Sequence, residues 1–447
     1  MKTPLLFICI AILFLSVHSF SQSISAKAGT GHALFLCADG TAMATGANYS
    51  GALGNGTTTG QLSPVAVLSL SNITAIAAGG DFSVFLKNDG TVWTIGVSST
   101  VPTMVGGLSG ITAIAASRYH TMALKNDGTV WAWGSNNKGQ LGNGTTVSSS
   151  VPVQVSSLNN VTGIAAGDEH SMALKNDGTV WTWGGGGNGQ LGTGNNNNTS
   201  VPVQVTAIAN IVKVATGYIF SFAIRNDGAL WAWGYNGVGQ LGNGTTTTIN
   251  LPSLNTYISN VMDVSGGGAH AVAVKTDGTV WTWGDNGSGQ LGLGVSGGTH
   301  YVPFQAVSIS SVTSVSGGGE FSLARKSDGT IWSWGNNMVG QLGDGTNNWS
   351  NAPILVPACQ FLNVNELTVQ NGIVVFPNPS SGILNISLKN NNDTKICIYD
   401  AFGNCIWNKE QSREEEIKID MSTKAKGIYF LETEMDGTRS AKKIVLE

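Results

Sequence analysis

The stretch "HSMALKNDGTVWTWGGGGNGQLGTG", His170 to Gly194, returns almost unchanged elsewhere in the chain. Fifty residues earlier it reads "HTMALKNDGTVWAWGSNNKGQLGNG" (His120 to Gly144), and fifty later "FSFAIRNDGALWAWGYNGVGQLGNG" (Phe220 to Gly244). Its Asp-Gly pair recurs at Asp39, Asp89, Asp127, Asp177, Asp227, Asp277 and Asp328, spaced by 50 or 51 residues except for 38 between Asp89 and Asp127. A fixed period of this length marks a repeat architecture. Within one unit, "VTGIAAG" (Val161 to Gly167), "HSMALKN" (His170 to Asn176), "TVWTWG" (Thr179 to Gly184) and "VPVQV" (Val201 to Val205) are short apolar runs bounded by turn residues, which predicts four strands. Asp-Gly closes a tight hairpin between the second and third. The proline suits an edge strand, where no ladder donor is lost. Helical periodicity is absent.

Seven units of four antiparallel strands predict an all-β fold, a seven-bladed β-propeller. The competing β-solenoid has shorter repeats and parallel coils. Trp131 and Trp133 stand two apart on a strand and share a face. One four-stranded sheet cannot cover two indoles, but a neighbouring blade can, so the blades are expected to stack through tryptophan. The propeller is placed over 22–359, with units of about 23–72, 73–110, 111–160, 161–210, 211–260, 261–311 and 312–359.

"ALKNDGTVWAWGSNNKGQLGNG" resembles the regulator-of-chromosome-condensation repeat family, whose members fold as seven-bladed propellers. The Gly-Gln-Leu-Gly block stands at Gly139–Gly142, Gly189–Gly192, Gly239–Gly242, Gly289–Gly292 and Gly340–Gly343. The first unit has Gly51-Ala52-Leu53-Gly54 and replaces both tryptophans with Met43 and Thr45, and the second unit has no block. The resemblance implies the fold. Its founding member is a nucleotide exchange factor for a nuclear GTPase, an activity that does not fit a chain with the export signals described next. A secreted β-lactamase inhibitor shares the propeller, so protein inhibition is an alternative.

The N-terminus, "PLLFICIAILFLSV" (Pro4 to Val17) followed by Ser19-Phe20-Ser21, reads as a signal peptide over 1–21; an uncleaved anchor helix is the alternative. Cys9 lies inside the apolar run, which argues against a lipoprotein. No later stretch is long and apolar enough to span a bilayer, so the chain is expected not to be transmembrane. Residues 23–360 carry 14 Asp+Glu and 11 Lys+Arg, whereas 361–447 carry 12 and 10 in a quarter of the length. That step in charge density marks a boundary near 360, with a linker over 360–372. Neither part is basic, so no nucleic-acid partner is expected.

The tail, 373–447, alternates apolar residues with glycine turns and predicts a small antiparallel β-sandwich. Phe376 with Pro377, Asn378 and Pro379, then Gly382, Gly427 and Tyr429, Lys442 and Lys443, and the terminal Val445-Leu446 resemble the C-terminal sorting domain of type IX secretion. The resemblance implies passage across the outer membrane of a Gram-negative bacterium, with that machinery as partner. An ordinary binding sandwich is the alternative.

His32, His120, His170 and His270 share one repeat position, but Phe82, Phe220 and Phe321 fill it elsewhere. A metal ligand cannot be exchanged for Phe, so packing is expected, with a backbone bond to the ring. The glycine-rich loop opens onto no helix and is not a phosphate cradle. No Asp-x-Asp-x-Asp-Gly, His-Glu-x-x-His or Gly-x-Ser-x-Gly occurs, and no cofactor, metal or catalytic residue is expected. Exported chains permit disulfides: Cys37 and Cys359 would meet at ring closure, and Cys397 and Cys405 flank a hairpin at Gly403, although strict register sets Ile398 opposite Cys405.

By strand parity, the strand 1–2 and 3–4 loops share one face and the Asp-Gly hairpins the other. The first face varies, with Tyr49, Arg118, Tyr119, Asp168, Glu169, Tyr218, Tyr235, Asp285, Tyr301 and Trp349 as the candidate binding surface. The short loop after Gly96 should notch its rim. A protein- or glycan-binding module is the reading preferred to a polysaccharide-degrading enzyme, which needs paired carboxylates; only Asp168, Glu169, Asp285 and Glu320 lie near that face.

Overall fold

The computed structural model describes residues 25–97, 99–359, 373–376, 380, 382–388, 394–400, 405–412, 416–424, 427–435 and 438–446. The expected signal peptide, the linker 360–372 and the motif residues Pro377, Asn378 and Pro379 lie outside them. The chain divides between Cys359 and Gln360 into two units.

The first unit holds seven sheets of four antiparallel strands, each built from strands consecutive in sequence. In the fourth blade these are Val161–Ala166, His170–Lys175, Val180–Gly184 and Thr199–Gln204. The first strands of all seven blades line a central channel of about 410 Å³. The fourth strands form the outer rim, and each carries a proline (Pro64, Pro102, Pro152, Pro202, Pro252, Pro303, Pro353), which blunts an exposed edge against pairing with another chain.

The Asp-Gly turn has a simple cause. Asp177 Oδ1 accepts from the amide of Thr179 at 3.0 Å and from its hydroxyl at 2.6 Å, and Gly178 supplies φ +78°, a conformation that costs glycine nothing. The reversal sets Ser171 opposite Trp183 and Ala173 opposite Trp181.

The two tryptophans of a unit do different jobs, a correction to the expectation that both lie between blades alike. Trp183, Trp233, Trp283 and Trp334 are fully buried against the preceding blade. Each indole N–H donates to the backbone carbonyl of that blade's Gln140, Gln190, Gln240 or Gln290, at 2.8–2.9 Å. The Gly-Gln-Leu-Gly block is therefore an acceptor for the next blade's indole. At Gly192 a Cβ would sit 2.7 Å from Trp233 Nε1, so the second glycine makes room for that ring. Trp93, Trp181, Trp281 and Trp332 are only half-buried. They lie beside the Asp-Gly turn under the ammonium of Lys87, Lys175, Lys275 or Lys326, at 5.3–5.7 Å.

In these four units the outer indole also donates to a threonine hydroxyl, at 3.1–3.2 Å. The fifth unit has Ala229 there, and Trp231 Nε1 is buried without a partner; Trp131 lacks the bond although Thr129 is present. Satisfying a buried donor is worth about 1 kcal/mol. Ala229→Thr is expected to raise the melting temperature by about 2 °C for a domain of this size; an unchanged or lower value refutes this account of the threonine.

The histidines pack between blades, but their partner is a serine of the next blade and not the expected backbone group. Nε2 lies 2.8–3.1 Å from the hydroxyl in His32–Ser83, His120–Ser171, His170–Ser221 and His270–Ser322. Each serine already donates its one hydroxyl proton to a carbonyl: Ala52, Gln140, Gln190 or Gln290. The imidazole must then be the donor, which fixes the Nε2–H tautomer. Where Phe220 and Phe321 replace histidine, the next blade offers Ala271 and Ala33 within the same apolar clusters.

The ring closes without strand exchange. At the seam, Thr45 stands where five of the other units carry the inner tryptophan and the second carries Ile95, and its hydroxyl lies between the Gln61 carbonyl of its own blade at 2.8 Å and the Gly340 carbonyl of the last blade at 3.0 Å. At the Asp-Gly end of the same blade Cys37 is joined to Cys359 by a disulfide, with Cα atoms 5.1 Å apart.

The second unit pairs Ile373–Phe376, Ile383–Leu388 and Glu416–Asp420 in one sheet. Thr394–Tyr399, Cys405–Ser412, Gly427–Met435 and Thr438–Leu446 form the other. Leu384, Ile386, Ile396, Ile417, Leu431 and Ile444 make a common core with Tyr429, so that motif residue is structural. Gly382 has φ +129° and its Cβ position lies 2.9 Å from Ser422 Cα, leaving no room for a side chain. Cys397 is joined to Cys405, and a register shift after Ile398 sets Tyr399, not Ile398, opposite Cys405.

Candidate functional site

Each strand 1–2 connection is three residues long and turns at the channel mouth. Short loops bring their central residues together there, whereas the longer 3–4 loops project outward. Arg118, Asp168 and Tyr218 occupy equivalent places in successive blades, and they meet. Arg118 Nη1 lies 3.4 Å from Asp168 Oδ2, and the guanidinium stacks on Tyr119 and Tyr218 at 5.1 and 5.3 Å. The Tyr218 hydroxyl donates to Thr30 Oγ1 at 3.3 Å.

Beside them is a cavity of about 330 Å³, lined by Arg118, Tyr218, Asp285, Glu320, Asn336 and Gln341 among others. Glu320 Oε2 accepts from Ser288 Oγ at 3.1 Å and Asn336 Nδ2 at 2.8 Å. Asp285 Oδ2 accepts from Gln290 Nε2 at 2.7 Å. Both carboxylates are thereby aimed by neutral donors, and among the described residues neither forms an ion pair, although Arg118 lines the same cavity.

Asp168 is the most perturbed acid. Burial pushes its carboxyl up to about 6, against the pull of Arg118, and its Oδ1 is buried with no hydrogen-bond partner. Burial also pushes the Tyr218 phenol up to about 12. Deeper in the channel Lys213 pairs with Asp263 at 2.5 Å, and burial lowers the Lys27 ammonium.

The remaining candidates are dispersed. Tyr49 and Trp349 are exposed on the long loops of the first and last blades. Tyr301 lies in the outer strand Thr299–Gln305, beside Gly239 of the preceding blade. Tyr235 is half-buried with its ring over Gly237, and Glu169 packs on Gly185. Glu320, named in the sequence only as an available carboxylate, proves to be a wall of the cavity. Its signal was its place, immediately before the His/Phe position, which Tyr119 and Glu169 also hold. The long loops are held by a buried asparagine: Asn136 Nδ2 donates to the Thr145 and Val147 carbonyls at 3.0 Å while Oδ1 accepts from Leu141 N at 2.8 Å. In the short second unit the acceptor block is missing, and Trp133 of the next blade has no indole partner among the described residues.

Among the described residues no cluster of His, Cys, Asp or Glu could hold a metal ion, and no helix is long and apolar enough to cross a membrane.

Three family models match. The RCC1-like domain covers residues 97–373, the regulator of chromosome condensation (RCC1) repeat 39–86, and the secretion system C-terminal sorting domain 374–447. No curated protein matches. Among solved structures, human WBSCR16 is similar with 25% identity and TM-score 0.62, covering 69% of this chain and 91% of its own. Prp20p of Saccharomyces cerevisiae is similar with 19% identity and TM-score 0.63, covering 79% and 90%.

Proposed function

Because the chain belongs to the RCC1-like domain family and ends in a secretion-system sorting domain, we propose that it is an exported, non-enzymatic propeller. It binds a protein or glycan at or beyond the cell surface through its long-loop face, and the type IX machinery delivers it. The observation that carries this reading is the contrast between the two faces. Arg118, Tyr218, Asp285 and Glu320 line an open cavity and Asp168 the adjoining channel, whereas the Asp-Gly face satisfies its own polar groups turn by turn. A rigid scaffold presenting convergent polar groups is the form a binding site takes. Hydrolysis finds less support. Asp168 is paired with Arg118, and Asp285 and Glu320 are each held by neutral donors, so no two of these carboxylates stand as the facing pair that glycoside cleavage uses.

The secreted protein should be screened on glycan arrays and against cell-surface extracts. Retention without product supports the reading, and release of a cleaved product overturns the non-enzymatic part. Deleting residues 361–447 is expected to leave the propeller in the periplasm. Normal surface delivery of that truncation would remove the sorting assignment.

A further inference from the structure

We propose, resting on the binding role above and deepening it, that the partner presents a cationic polypeptide segment, one of whose Lys or Arg side chains enters the cavity between Asp285 and Glu320. The charge of the propeller is not shared between its faces. On the long-loop face six carboxylates (Asp81, Asp168, Glu169, Asp285, Glu320, Asp344) stand against Arg118 and Lys138, leaving −4. At the opposite turns seven aspartates stand against six Lys or Arg, leaving −1. Those aspartates are also locally committed, each of six to the residue two positions on and Asp227 to Arg225.

A second observation, independent of the acid count, points into the mouth. Asp168 is 6% exposed, its Oδ1 is buried without a hydrogen-bond partner, and it lines the channel where the channel shares Thr30, Arg118 and Tyr218 with the Asp285–Glu320 cavity. A buried carboxylate oxygen without a donor is an unmet requirement that an incoming N–H group fills. The cavity, at about 330 Å³, takes a long side chain but not a folded element. Its walls favour a cation over a sugar for a further reason. Sugars stack on open aromatic faces, and the aromatic ring that lines this cavity, Tyr218, already has a face taken by the Arg118 guanidinium. A field of one sign over a concave mouth also accelerates encounter with an opposite charge, and that advantage fades as salt shortens its range.

The test uses the secreted full chain and three probes: a labelled deca-lysine peptide, a deca-glutamate peptide and an array of neutral oligosaccharides. Deca-lysine is expected to bind in 50 mM salt, and deca-glutamate is not. Asp285→Asn combined with Glu320→Gln should weaken deca-lysine about tenfold. Asp177→Asn combined with Asp277→Asn removes the same two charges from the other face and should change affinity less than about twofold. Melting curves of both double variants show whether they remain folded, and Asp168→Asn provides a third, separate probe of the mouth. Equal weakening by the two pairs, or deca-lysine binding no tighter than deca-glutamate, overturns the proposal. Binding of a neutral glycan without deca-lysine overturns the cationic partner and leaves the binding role standing. A full chain that delivers normally yet retains neither probe nor any surface extract ends both.

Discussion

Lowering the pH from 7 to 5 is expected to destabilise the propeller by several kcal/mol, because four interblade histidines must then remain neutral in the fold while they charge in the unfolded chain. His32, His120, His170 and His270 are 0–1% exposed. Burial lowers His32, His120 and His270 to about 4 and His170 to about 3. A base whose folded pKa is depressed binds fewer protons folded than unfolded, so stability falls as pH drops below the unfolded value near 6.5. Between pH 7 and 5 each such group costs about 2 kcal/mol.

Asp168 works the other way. Its carboxyl, raised to about 6, takes up a proton earlier in the fold than in the unfolded chain, returning about 1 kcal/mol over the same interval. The histidines outweigh it. The hydrogen-bond pattern supplies the reason the low values persist: Nε2–H is already given to serine, and protonation would add an Nδ1–H. His120 Nδ1 lies 2.9 Å from Ser117 Oγ, but His170 and His270 Nδ1 are buried without a partner.

Urea midpoints at pH 7 and pH 5 measure the effect directly. The double variant His170→Phe with Ser221→Ala copies the pairing the chain itself uses at Phe220–Ala271 and should lose about a quarter of the pH slope. A midpoint that does not move between the two pH values would show that these rings titrate normally and are not sealed.

That His meets Ser while Phe220 and Phe321 meet Ala was legible in the sequence, since the two members lie in adjacent columns of the repeat, with Phe82 followed in the next unit by Thr121 as the exception. No single unit displays the pairing, because the partner of a residue in one unit is found one unit later, 51 or 52 positions away. The blade itself was plain from Asp-Gly and the apolar alternation. The division of labour between the two tryptophans was not. Residues two apart on a strand share a face, and only the height of the neighbouring Gly-Gln-Leu-Gly block decides which indole reaches a carbonyl. The mouth was half legible. Arg118, Tyr119, Asp168 and Tyr218 stood out as variable loop residues, yet so did Tyr49, Tyr301 and Trp349, which lie elsewhere. What separates them is position: Arg118, Tyr119, Asp168 and Tyr218 sit on three-residue connections at the axis, Tyr49 and Trp349 on fourteen-residue loops, and Tyr301 in an outer strand, while Asp285 reaches the cavity from the end of its own strand.

Replacing both Cys37 and Cys359 with serine is expected to cost about 5 kcal/mol, the denatured-state loop entropy of a very long closure. The bond spans 322 residues, so nearly the whole propeller lies inside the loop it closes. Its position matters as much as its length. Most propeller joints here are held by an indole and a glutamine carbonyl, but the joint between the last and first blades has Thr45 in place of the indole and Ala33 in place of the serine. The strand that completes it, Ser25–Ala28, is four residues long and is not shared with the last blade. Smaller contacts remain there, with Ala28 N donating to Ser316 Oγ at 3.1 Å and Gly319 N to the Gly29 carbonyl at 3.2 Å. The covalent bond thus takes the place of the missing indole joint at the one seam that chain connectivity leaves open. Without it, the ring should open first at that seam, and hydrogen exchange in the variant should accelerate over Ser25–Ala28 and Val312–Gly317 before it does in the third to sixth blades. A thermal midpoint within about 1 °C of the parent, against the 10 °C or so that such a free energy implies, would mean that the seam is closed by packing alone.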